Sequence, residues 1–141
     1  MRLVQAEGQW LAGQFDDATA SSAEVLARFT ALGDDAGCAD THWLQAWIAI
    51  DRGDHAASDA SLALAVDAAR RGGDTLRTML AEACIARWDV LRDRNLAVAR
   101  WGGVFHSASA QQHPALATWI NDFLALAATL FTIAYSAPPL R

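Results

Sequence analysis

His55 and Asp59 stand four residues apart, on one face of any helix that holds both, with Asp51 and Asp54 just upstream. Such a cluster could in principle bind a divalent metal or run acid–base chemistry. It lacks an HExxH-type pattern, and four-coordinate geometry would need ligands from elsewhere in the chain. These residues read instead as an exposed helix start, where acidic side chains suit the positive end of the helix dipole. His42, His106 and His113 are scattered, and His106 occupies a position where small apolar residues are expected, so it should be a satisfied, partly buried histidine. Cys38 and Cys84 have neither CxxC nor Cys/His ligand spacing and read as a reduced pair of small core side chains. Neither a GxSxG element nor a cysteine-protease signature occurs. No catalytic residue, metal ligand or cofactor is assigned, and the chain is expected not to be an enzyme. A helical hydrolase or metal enzyme is the alternative of a different class.

Arg52-Gly53-Asp54 spells the tripeptide that adhesion receptors recognise. The segment MRLVQAEGQWLAGQFDD has no basic stretch followed by a continuous apolar core, so a secretory signal is not expected and a cytoplasmic location is. Gly53 suits a left-handed position that ends one helix, Asp54 the cap of the next, and Arg52 a place beside the preceding C-terminus. The tripeptide therefore reads as an interhelical turn.

Six tryptophans are the composition's clearest excess. Trp43 and Trp47 are four apart and share a helical face, and Trp88 follows Trp47 by 41 residues. Arg77, Arg87 and Arg92 fall on one later helix beside Glu82 and could supply polar contacts next to an aromatic shelf. Each ring reads either as filler between alanine-rich helices or as the lining of a ligand or peptide groove.

The elements that must carry these residues are helices. Alanine occurs 32 times in 141 residues, β-branched residues are sparse, and no segment alternates like a strand. All eleven basic residues are arginine, and the net charge is −5. An acidic chain without a basic face does not suit a nucleic-acid ligand, so none is expected.

A repeat organises the chain. GQFDDA (13–18), GDHAAS (53–58) and RNLAVA (94–99) align at spacings of 40 and 41, and LGD (32–34) precedes GGD (72–74) by 40. Helices are predicted at about 2–12, 16–32, 38–51, 55–71, 74–92 and 95–110, and a seventh begins at Pro114, which suits a first-turn position. Short turns are expected inside each hairpin and longer Gly/Asp loops between hairpins. Gly102-Gly103 is expected to kink or delay the sixth helix.

Three consecutive helical hairpins of this kind resemble tetratricopeptide-like repeats over about residues 2–110. The family's close helix contact between small residues twelve apart is matched by Ala46 and Ser58, with Ala18 and Ala99 at the corresponding second-helix positions. The chain departs from the family in its longer period, in lacking the proline that often closes a repeat, and in carrying Arg87 at a small-residue site. GCADTHWLQAWIAIDRGD (37–54) is similar to the helical regions ahead of GGDEF output domains in some bacterial diguanylate cyclases, although the chain holds no GGDEF motif. The resemblance implies one all-α domain over 1–141, a right-handed array of about seven helices with hairpins at 2–32, 38–71 and 74–110 and a last helix at 114–136. It implies first helices lining a concave surface, hence a groove bearing Trp43, Trp47, Trp88, Arg77, Arg87 and Arg92. The function implied is a protein-interaction or signal-input module, with a small-molecule sensor as the alternative.

The run FLALAATLFTIAY (123–135) is apolar all round but too short to span a bilayer. As the last helix of an array it should leave Phe123, Leu126, Leu130 and Phe131 open, for a homodimer or a fused C-terminal domain.

Overall fold

The computed structural model describes residues 2–89, the side chains of 87–89 excepted, and then 102–104, 106, 113–115, 117–119 and 121–122. Among the described residues the fold is all-α, with no strand. Five helices are delimited: α1 (Leu3–Leu11), α2 (Phe15–Leu32), α3 (Asp35–Asp51), α4 (His55–Arg71) and α5 (Thr75–Asp89). The chain forms two compact units, Met1–Glu82 and Ala83–Arg141, the division falling within α5.

In the first unit the four interhelical turns follow one design. Gly13, Gly33, Gly53 and Gly73 take φ of 76°, 67°, 77° and 67°, a left-handed conformation that glycine adopts without a Cβ clash. At each, the glycine N–H donates three residues back and the next N–H five residues back, closing the preceding helix in a Schellman motif. The residue after the glycine then starts the next helix. The carboxylates of Asp34, Asp54 and Asp74 accept from the backbone N–H of Gly37, Ala57 and Arg77, each at 2.9 Å. Gln14 makes no such cap. Arg52-Gly53-Asp54 is one of these turns, and Arg52 reaches Asp16 at 2.7 Å.

The distinction expected between short turns and longer loops does not hold at 33–37. Helix α3 begins at Asp35, and Gly37 lies in its first turn rather than in a loop. A Cβ on Gly37 would stand 2.6 Å from Phe29 Cγ and Cδ1 and 2.8 Å from Asp34 Oδ2. This glycine is there for room, not for a bend.

Small residues set the packing. Successive helices from α1 to α4 pack against one another, and α1 also reaches α3. One cluster joins Ala6, Ala18, Leu44 and Ile48 beneath Leu3, Trp10 and Phe15, and another joins Cys38, Ala39, Ala68 and Ala69 beneath Leu26 and Phe29. Ala46 and Ser58, the small pair marked in the sequence, are both buried. Ion pairs tie helix ends of opposite dipole sign: Arg52 to Asp16 at the start of α2, and Arg71 to Asp35 at the start of α3, 3.0 Å. Both of these pairs span 36 residues.

In the second unit, Gly102 and Gly103 are themselves helical, and Val104 beside them is buried. His106 is exposed rather than partly buried. Pro114 opens a helical stretch, with the His113 carbonyl accepting the Ala117 N–H at 3.0 Å.

Candidate functional site

Helical periodicity puts Leu3, Glu7, Trp10 and Leu11 on one face of α1, and Asp40, Trp43, Leu44 and Trp47 on one face of α3. These two faces border a groove of about 510 Å³ that is partly open to solvent. The structure therefore brings Trp43 and Trp47 together, as their spacing predicts, and adds Trp10. The Trp10 and Trp47 rings lie 6.4 Å apart, centroid to centroid, at 36°. That separation is within the range of favourable aromatic pairs. Trp43 is 39% exposed, and Trp47 is half-buried.

Polar contacts flank the groove at both borders. Trp10 Nε1–H donates to Asp51 Oδ2 at 2.7 Å, joining the last turn of α1 to the last residue of α3. At the other end, a small cleft lined by Asp40, Trp43, Arg77 and Leu80 adjoins the groove. There Arg77 donates from Nε and Nη2 to the two oxygens of Asp40 (2.8 and 3.1 Å), and from Nη1 to Asp74 Oδ2 (2.5 Å). Hydrogen bonds from the Arg77 backbone and side chain lower the pKa of Asp74, and Asp40, followed by Asp74, raises that of Arg77 further. Arg77 was expected to offer polar contacts to a ligand. Its guanidinium is engaged by two carboxylates and bridges α5 to α3.

Of the remaining predicted groove residues, Arg87 and Trp88 lie on α5 with their side chains not described, and Arg92 lies outside the described residues, as do Phe123, Leu126, Leu130 and Phe131 of the predicted interface. Trp10 was missed because the register that aligns the turns, 40 residues, sets it opposite Ile50. The groove follows a different offset: Leu3, Glu7 and Trp10 precede Asp40, Leu44 and Trp47 by 37 each. Aligning the two first helices at that 37-residue offset, which sets Trp10 over Trp47, would have found it.

A second groove of about 420 Å³ lies among α2, α3 and α4, lined by Thr19, Ser22, Gln45, Arg52, Asp54 and Ser61. Arg52 is occupied there by Asp16 and, at 3.4 Å, by Thr19 Oγ1. His42 Nδ1–H donates to Gln45 Oε1, 3.1 Å, and burial chiefly lowers its pKa. Among the described residues no cluster of His, Cys, Asp and Glu could hold a metal ion, and no helix is long and apolar enough to cross a membrane.

The first groove can bind by ring stacking and apolar contact, with carboxylates at its borders. No protein-family model, curated protein or solved structure matches the chain.

Proposed function

We propose that this chain is a protein-interaction module, built of tetratricopeptide-like hairpins, that serves as the cytoplasmic input or regulatory part of a bacterial signalling protein. The observation that supports this most is the groove between α1 and α3: three tryptophans on two first helices, partly open to solvent rather than enclosed. An open trough admits a peptide running through it, whereas a sensor for a small molecule would bury most of its ligand in a closed pocket. Binding, not turnover, is the activity. In the same reading Phe123, Leu126, Leu130 and Phe131 join the chain to a second copy or to a following domain.

Selection of displayed peptides on the purified chain tests the groove. The reading requires enriched peptides whose affinity falls in Trp43→Ala and Trp47→Ala variants of unchanged helix content. Enriched peptides indifferent to both substitutions would refute it. A thermal shift produced by small aromatic compounds but by no peptide would favour the sensor instead.

A further inference from the structure

We propose that the occupant of the α1–α3 groove is an arginine side chain presented by a peptide partner. This rests on the groove reading above and narrows its ligand. The two ionisable residues lining the groove, Glu7 and Asp40, are both acids. Glu7 is exposed, at the middle of the α1 face. Asp51 places another carboxylate beside Trp10. Arg77, in the adjoining cleft, pairs with Asp40 and Asp74, so one guanidinium faces two carboxylates and the cluster keeps one net negative charge, while Glu7 adds its own.

The aromatic lining points the same way. Indole faces carry the negative side of a quadrupole and attract cations, so rings and carboxylates favour one kind of ligand. A neutral apolar chain would satisfy the rings and leave the Glu7 carboxylate unused, and an anion would be repelled by both rings and carboxylate. Among cations, arginine fits best, because its planar head stacks on a ring while donating in-plane to a carboxylate, and its aliphatic stem can lie along Leu3 and Leu44. The net charge of −5 adds a long-range attraction for a basic partner.

The experiment uses the full chain and three fluorescein-labelled peptides, Gly-Ala-Leu-Arg-Leu-Ala-Gly and its analogues with norleucine or glutamate at the centre, titrated by fluorescence anisotropy. The arginine peptide is expected to bind about two- to fivefold more tightly than the norleucine peptide, the range of a cation over an exposed ring, and the glutamate peptide more weakly than either. The preference should shrink with added salt and vanish in Glu7→Lys. Equal binding of arginine and norleucine peptides, both lost in Trp43→Leu, would overturn the inference and leave the groove standing. Arginine-peptide binding that ignores Trp43→Leu, with helix content unchanged, would remove the groove itself. Failure of the arginine peptide to bind at all overturns the inference.

Discussion

Two glycine-to-alanine substitutions should change stability in opposite directions. In a helix interior alanine is favoured over glycine by about 1 kcal/mol. At Gly8, in the middle of α1, an added Cβ meets nothing within 4 Å, so Gly8→Ala should gain close to that amount. At Gly37 the same methyl would stand 2.6 Å from the Phe29 ring and 2.8 Å from Asp34 Oδ2. Overpacking of this kind costs about 1–3 kcal/mol. Displacing the Asp34 carboxylate also loosens its bond to the Gly37 N–H, an N-cap worth about 1 kcal/mol. Set against the propensity gain, Gly37→Ala should lose about 1–3 kcal/mol in net stability. Urea unfolding followed by circular dichroism measures both, a shift in midpoint at constant slope being a change in stability. A Gly37→Ala protein as stable as the parent would refute the close approach of α2 to the first turn of α3.

Other substitutions probe the turns and the core. Gly53→Val should destabilise through the forced left-handed φ of 77°, by about 1 kcal/mol or more, whereas Arg52→Ala removes an exposed ion pair worth about 0–1 kcal/mol; thermal melts of the two variants separate a structural turn from an adhesion motif. Ala46→Trp puts a ring where a buried alanine sits and should cost about 1–3 kcal/mol or more, read by urea titration. Burial holds the His42 pKa below its ordinary 6.5, so the folded state binds this proton less readily than the unfolded chain; the contribution is complete above pH 6.5 and lost as pH falls through the lower folded value. Melts across that range should show a downward slope on acidification that His42→Gln lessens. Leu130→Glu should weaken self-association in sedimentation, and a strict monomer at high concentration, unaltered by the change, would exclude an interface on the last helix.

Much of the architecture was legible because its signals are local. Glycine and aspartate in tandem announce a helix stop and the next helix start, and Gly53-Asp54 could be assigned both roles before any coordinates. The same pairing at Gly33-Asp34 was obscured by Gly37, a second glycine that resembles loop chemistry but serves a tertiary contact with Phe29. Only packing explains it. With that turn restored, Gly13, Gly33, Gly53 and Gly73 recur every 20 residues, half the spacing that the sequence alignment followed. The groove was half legible. Trp43 and Trp47 share a face by spacing alone, but Trp10 joins them through an interhelical offset that no single-helix pattern contains. The pairing of Arg77 with Asp40 was not legible, since it spans 37 residues and depends on how α5 meets α3.

Indole N–H resonances offer a direct view of the groove. The chain has six, and substitution of each tryptophan by phenylalanine assigns them. Titration of the labelled chain with a display-selected peptide should shift the Trp10, Trp43 and Trp47 signals together, at one affinity. Trp119, exposed in the other unit, should stay in place. Peptide binding that moves Trp119 and leaves the other three unmoved would contradict a groove between α1 and α3 as the binding surface.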